Sequence, residues 1–171
     1  KLIMNEQLSH NDAFIQQKTN PIIVVCDRIY FQQNIGSIFR LCDAFGVEKV
    51  IFTGEQFLLS ERKVNKTSRN THKTVPFEVI KEQNELISFL KETKRRILAL
   101  EISTESIALE KIEILEIEPL VLLLGSELYG LSKEVLQTAS ETVHINMYGA
   151  NSSMNVTHAL AIALHTITQK L

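Results

Sequence analysis

HINMYGANSSMNVTHALAIALHTI, residues 144 to 167, contains the change of period around which the rest of the chain is organised. Val143 to Met147 alternates like the end of a strand, and Gly149 breaks the pattern. Asn151, Ser152 and Ser153 then supply the short polar side chains that favour turns and helix caps. From Met154 the period turns helical: Met154, Leu160, Ala161, Ile162, Leu164 and Ile167 make the segment apolar nearly all round, as expected of a helix packed into a core or against a partner. A strand, a polar turn and a helix N-terminus in that order bring backbone N–H groups and hydroxyls to one point, which suits an anion or a polar small molecule. A well-capped buried helix has the same pattern, so this stretch by itself marks a candidate site without naming a ligand.

The preceding segment, EPLVLLLGSELYGLSKEVL at 118 to 136, is a fully apolar strand that ends at Gly125, followed by Glu127, Gly130 and Ser132, the last a natural N-cap. Glycines after a buried strand leave room for a ligand. The loop has neither the GxGxxG nor the GxxxxGK[ST] spacing, so neither a dinucleotide nor a P-loop phosphate site is indicated. Near the start, PIIVVCD at 21 to 27 is a continuous β-branched run after a proline, the pattern of a central strand covered on both faces. Next, Asn34 opens a helix carrying Ile38, Leu41, Cys42 and Phe45 inward, Gly46 closes it, and Lys49 to Thr53 forms the next strand, giving a βαβ unit. Gly36 lies between Asn34 and Arg40 and lets another backbone or a ligand come close. An N-cap and a surface arginine account for the same two polar residues.

Further strands are expected at 75 to 80 and 97 to 102, with an amphipathic helix over 84 to 96 between them. Residues 103 to 118, polar and acidic with scattered Ile and Leu, read as a mobile connection with at most a short helical turn. Residues 5 to 17 read as a short amphipathic helix that Ser9 can cap. The alternation of strands and helices implies an α/β fold with a parallel sheet.

A chain of 171 residues with 44% hydrophobic content is long enough to bury a real core and fits one domain better than two. No apolar stretch approaches the roughly 20 residues of a membrane span, and KLIMNEQLSHND lacks the apolar segment of a secretory signal, so a soluble cytoplasmic protein with no membrane partner is expected. Cys26 and Cys42 sit in apolar surroundings without CxxC spacing and read as buried free thiols. No HExxH, GxSxG or Cys/His metal spacing occurs, and His158 and His165 have no third ligand spaced to join them, so no metal is expected. A net charge of −2 argues against a generally basic nucleic-acid binder, so a polyanion would have to meet a local patch. One such patch exists: Arg62, Lys63, Lys66, Arg69 and Lys73 fall in a run that contains no acid. A solvated loop and an RNA-binding surface both fit it.

Three spaced motifs coincide: NIGSIFRLCDAFG at 34 to 46, LLGSELYGLS at 123 to 132 and INMYGANSSMNVTHALAIAL at 145 to 164. Together they resemble the SpoU/TrmH family of the SPOUT superfamily, S-adenosylmethionine-dependent RNA 2′-O-ribose methyltransferases. The family pattern runs N-x-G-x-x-x-R, G-x-E-x-x-G-x-S and I-P-M-x-G-x-x-x-S-L-N-V-S-x-A, and all three occur here in order. Asn146, Met154 and Thr157 replace the usual proline, leucine and serine, and Asn70 stands where relatives often have glycine, which leaves open the course of the basic loop.

The resemblance implies a SPOUT-type parallel sheet flanked by helices, with a C-terminal trefoil knot, in a methyltransferase domain at 21 to 171 preceded by a short helical extension at 1 to 20. It implies S-adenosylmethionine held by Leu124, Gly125, Glu127, Gly130, Ile145, Met147, Ser153 and Met154. Asn34, Arg40, Glu127, Ser153 and Asn155 would be the catalytic set. It implies a homodimer in which the helix carrying Arg40 approaches the neighbour's cofactor site, with tRNA or rRNA as substrate. No N-terminal RNA-binding domain of the kind many relatives carry is expected, so RNA would be held by the catalytic domain itself. Two other classes stay open on sequence: a non-catalytic RNA-binding homologue that keeps the fold, and an unrelated nucleotide-binding α/β protein for which the order of motifs is accidental.

Overall fold

The computed structural model describes residues 17–171; the helix expected over 5 to 17 and most of the extension at 1 to 20 lie outside the described residues. Seven strands form one sheet: β1 (Asn20–Asp27), β2 (Val47–Thr53), β3 (Phe77–Ile80), β4 (Arg96–Leu100), β5 (Ile107–Ala108), β6 (Leu120–Gly125) and β7 (Glu141–His144), in the order β3-β2-β1-β6-β4-β7-β5. Every strand pair is parallel. Helices α1 (Gln32–Ala44), α2 (Glu61–Ser68), α3 (Gln83–Glu92), α4 (Lys133–Leu136) and α5 (Val156–Thr168) cover it.

The apolar run of β1 is continuous because both of its faces are covered. Ile22, Val24 and Cys26 pack into a cluster with Ile35, Ile38 and Phe39 of α1 and Leu160, Ala163 and Leu164 of α5. Ile23 and Val25 point the other way, toward Leu86 and Leu90 of α3 and Val135 of α4. The strand period of two thus divides one sequence run between two cores. Cys26 and Cys42 are free and fully buried, as expected, and burial pushes both thiols well up from their ordinary value.

Four local expectations change. Helix α1 starts two residues before Asn34, with Phe31 at its N-cap, so Asn34 does not open the helix and is a buried residue of its first turn. Helix α3 ends at Glu92 because Thr93 is extended, which frees the next residues for ion pairs. Arg95 grips Glu48 with one nitrogen at 2.8 and 2.9 Å, and Arg96 reaches Glu141 at 2.6 Å and Glu118 at 3.2 Å. The connection at 103 to 118 contains β5 and a 3-10 turn at Leu109–Lys111, with Leu109 and Ile112 buried. Two residues of strand are too short a pattern to read; β5 exists because Ile107 and Ala108 pair with Val143 and His144 of β7. Lastly, α5 starts at Val156, and its cap is Asn155 rather than the residues at 151 to 153.

The basic run forms α2 and then turns on two successive left-handed residues, Arg69 (φ 51°) and Asn70 (φ 72°), into a 3-10 turn at Thr71–Lys73. Asparagine tolerates this backbone better than most side chains, and the Asn70 N–H donates to Asn65 Oδ1 at 2.9 Å. Gly36 explains how closely α2 lies on α1: a Cβ there would stand 1.9 Å from Thr67 Oγ1 and 2.5 Å from the Val64 carbonyl oxygen. Of the two uses read for that glycine, the structure selects approach of another backbone.

Candidate active site

In an open parallel sheet the strand C-termini share one edge, and a ligand crevice forms where successive connections leave in opposite directions. Here that place is the junction of β1 and β6: the chain leaves β1 toward β2 and leaves β6 toward β7 on the other side. The loops after both strands and the loop after β7 meet there.

Three of the five expected catalytic residues are brought together at this junction. Asn34 Nδ2 donates to Glu127 Oε1, and Asn155 Nδ2 donates to Asn34 Oδ1 at 3.3 Å. Asn155 is also anchored from its other end, because its Oδ1 caps α5, accepting from Thr157 N at 2.8 Å and Thr157 Oγ1 at 2.6 Å, a role worth about 1 kcal/mol to the helix. Asn34 is buried while Glu127 and Asn155 are exposed, so the chain of amides and carboxylate has both ends at the surface and its middle in the core. Two amides can orient a hydroxyl but cannot take its proton; of the three side chains only the carboxylate can.

Arg40 and Ser153 do not join this group. Arg40 is exposed on α1, six residues past Asn34, about 9 Å along the axis and some 120° around it. It forms no ion pair among the described residues. Ser153 is exposed, and its N–H donates to Asn151 Oδ1 at 3.3 Å.

The residues expected at the cofactor are spread across the junction. Ile145 and Met147 line a cavity of about 410 Å³ beside the 145 to 152 loop, together with Ile102, Ser106 and His144. Glu127 instead lines a larger cavity of about 740 Å³ over the ends of β1, β2 and β3. The Leu124 side chain is buried in the core, which leaves only its backbone for a ligand. Met154 is half-buried and Ser153 exposed just beyond the smaller cavity. Gly125 and Gly130 serve each other: a Cβ on Gly125 would lie 2.2 Å from the Gly130 carbonyl carbon, and Gly130 N donates to Ser126 O at 2.8 Å. The room read beside Gly125 is therefore filled by the loop's own backbone, which folds the 126 to 131 turn back on the strand end.

Sequence reading missed a second polar group. Asp27, buried at the end of β1, accepts from Thr53 Oγ1 at 3.0 Å, Ser132 N at 3.2 Å and Arg28 Nη2 at 3.3 Å, tying three loops to one carboxylate. Glu101, after β4, accepts from Leu131 N at 3.3 Å. The only sequence signal was an acid at the end of one apolar strand and directly after another. The tyrosine hydroxyl of Tyr30 is pushed up from its ordinary value by partial burial, against the pull of Arg28.

Arg62, Lys63, Lys66, Arg69 and Lys73 are all exposed, and none forms an ion pair among the described residues. Among the described residues no group of three potential metal ligands occurs and no helix is long and apolar enough to cross a membrane. His158 and His165 are both exposed on α5.

A family model described as the SpoU rRNA Methylase family matches residues 21–165. The chain belongs to the SpoU rRNA methylase family. Among members, a tRNA (guanosine(18)-2′-O)-methyltransferase of Aquifex aeolicus is 27% identical over 165 residues, covering 96% of this chain and 76% of its own. A 23S rRNA (guanosine-2′-O-)-methyltransferase of Blochmanniella floridana is 26% identical, covering 92% of this chain and 62% of its own. The crystal structure of the A. aeolicus TrmH/SpoU tRNA modifying enzyme superposes with a TM-score of 0.78 at 27% identity, over 90% of this chain and 77% of that one.

Proposed function

We propose that this SpoU-family chain is an RNA methyltransferase that transfers a methyl group from S-adenosylmethionine to a ribose 2′-OH in tRNA or rRNA. The observation that carries the reading is the junction of Asn34, Glu127 and Asn155. Side chains 93 and 121 residues apart, one from each of the three family motifs, form one hydrogen-bonded chain at the sheet's switch point.

The 410 Å³ cavity suits the cofactor. Its size falls in the range of small-molecule sites. Ile102, Ile145 and Met147 give apolar walls for a flat heterocycle, and the glycine- and asparagine-containing loop at 145 to 152 gives backbone donors and acceptors. Ile145 and Met147 line this cavity, and Gly125, Gly130, Ser153 and Met154 shape the loops beside it. When bound, S-adenosylmethionine supplies an electrophilic methyl group on a cationic sulfur. The chain's own part is positioning, the largest lever available for an in-line transfer. Asn34 and Asn155 orient the ribose, and the second carboxylate oxygen of Glu127, unpartnered among the described residues, accepts the hydrogen bond of the 2′-OH and takes up its proton as the new O–CH3 bond forms. Arg40 grips a phosphate of the target strand; a guanidinium with a pKa above about 12 is a reluctant base.

Because Arg40 points away from Asn34 on its own helix, it completes a site only in a neighbouring chain, and we place it there in a homodimer. The half-exposed strip of Ala161 and Ile162 on α5, beside α1, is the apolar face that supports such pairing. We further propose that residues 21 to 171 form the methyltransferase domain and that its C-terminal part is threaded as a trefoil knot, against the usual rule for connections. The insertion of β6 between β1 and β4, and of β7 between β4 and β5, supports that threading. The basic face of α2 holds the RNA, and the protein works in the cytoplasm.

Isothermal calorimetry with S-adenosylhomocysteine tests the reading. One site per chain is expected in the absence of RNA, and no heat at millimolar ligand would exclude this assignment in favour of a fold-retaining RNA binder.

A further inference from the structure

The 740 Å³ cavity is not accounted for by a methyl donor, and its assignment rests on the methyl-transfer reading. Asn34 and Glu127 form one of its walls. A ribose held at those side chains therefore has this cavity beside it for the base it carries. The lining differs in kind from that of the smaller cavity: aromatic rings and opposite charges replace loop backbone. Phe31 and Tyr129 stand 60% and 77% exposed at its rim, large flat surfaces of the sort on which unstacked bases lie.

Arg28 is the residue that gives the cavity a preference. Its φ of 56° is left-handed, a backbone that non-glycine residues seldom hold and that concentrates at functional sites. The conformation is secured by its N–H on Thr53 Oγ1 at 3.2 Å and by Nη2 on Asp27 Oδ2 and the Gly130 carbonyl oxygen, both at 3.3 Å. One arm of the guanidinium is thereby fixed to both loops of the junction. Nε is buried without a partner, but Nη1 makes no hydrogen bond among the described residues, so its two N–H donors remain for the cavity in a group that has no acceptor at all. Glu55 supplies a carboxylate in the same lining.

Guanine matches this pair. Its O6 and N7 accept from arginine, the commonest specific base contact, and its N1–H and 2-amino group donate to a carboxylate. Adenine keeps N7 but offers an amino donor where guanine has O6, which removes one of the two acceptors and turns a donor toward Arg28. We infer that the cavity receives the base of the target nucleotide, turned out of its stack onto Tyr129, and that Arg28 selects guanine.

The test titrates GMP and AMP by NMR into the full chain, with and without saturating S-adenosylhomocysteine. GMP is expected to bind roughly tenfold or more tightly than AMP and not to compete with the cofactor analogue. In Arg28→Gly the left-handed backbone is kept, because glycine takes it without steric cost, and Asp27 keeps its bonds from Thr53 and Ser132; the lost ion pair with Asp27 should lower the melting temperature somewhat, so retention of the fold is read from the S-adenosylhomocysteine affinity. GMP should weaken to the level of AMP while S-adenosylhomocysteine affinity stays unchanged. Arg28→Lys, which keeps the charge without the planar fork, should also lose most of the preference. Equal binding of GMP and AMP, displacement of GMP by S-adenosylhomocysteine, or an Arg28→Gly variant that still prefers GMP would each overturn the inference. Loss of S-adenosylhomocysteine binding with the GMP preference intact would instead overturn the methyl-transfer reading and leave the guanine site standing.

Discussion

Residues 20–80 and 96–168 build the two halves of one parallel sheet in opposite ways. In the first half each strand lies beside the one before it, β1 then β2 then β3. In the second half β6 lies inside β4 and β7 lies between β4 and β5, so no two of these four strands that are consecutive in sequence are neighbours in the sheet. The cavities differ accordingly. Over the first half, ordinary crossovers leave side chains at the strand ends, and Asp27, Arg28, Thr53 and Glu55 line the space. Over the second, the returning chain lays loop backbone across the strand ends, and residues 145 to 152 make most of the wall. Backbone suits a ligand common to a whole family; side chains suit a target that differs among its members. Asn34 from the first half meets Glu127 and Asn155 from the second at the seam between them.

The strongest challenge to this division separates the two halves between chains. Arg40→Ala and Asn155→Ala should each lower methyl transfer by about 100-fold or more, the scale of losing one essential polar contact. Mixed and allowed to exchange, random pairing makes half of the dimers hetero, each with one intact site, so activity should return to about a quarter of wild type. No recovery after verified exchange would mean that Arg40 acts within its own chain or only structurally.

A smaller effect is expected at the seam itself. Alanine at Gly125 puts a methyl carbon 2.2 Å from Gly130 backbone. The turn must shift, at a cost of about 1–3 kcal/mol. Thermal melting and S-adenosylhomocysteine calorimetry should both register it. Alanine at Gly149, where nothing lies within 4 Å of the added carbon, should change stability by less than about 0.5 kcal/mol; equal effects at the two glycines would erase the contrast between a packed seam and an open loop.

The mildest change belongs to the outer face of the first half. Reversing Arg69 and Lys73 to Glu should weaken RNA binding and reduce the slope of log affinity against log salt by roughly 1.4–1.8, the release expected for two phosphates. Cofactor affinity should not move. An unchanged salt slope would make the patch a solvated surface.

Legibility followed the same divide. Strands β1, β2 and β6 could be read from continuous apolar runs because a strand covered on both faces has no polar alternation to hide it. The turn at Asn70 was left open by its departure from the family's glycine, and the left-handed φ at Arg69 and Asn70 resolves it. Asn34 could be singled out, yet its local reading as a cap was wrong, since nothing within α1 tells that its side chain faces Glu127. Arg28 and Asp27 gave no signal beyond being charges after a strand.

By itself the sequence determined the class of fold, the apolar strands covered on both faces and the motif set that identifies the family, because periodicity and short-range turn chemistry are local properties. Strand order, the pairing that creates β5, the meeting of Asn34 with Glu127 and Asn155, and the separation of two cavities were decided only in the tertiary structure. Each of these joins residues tens to more than a hundred positions apart, and such contacts come from packing the whole sheet at once, which no window of sequence contains.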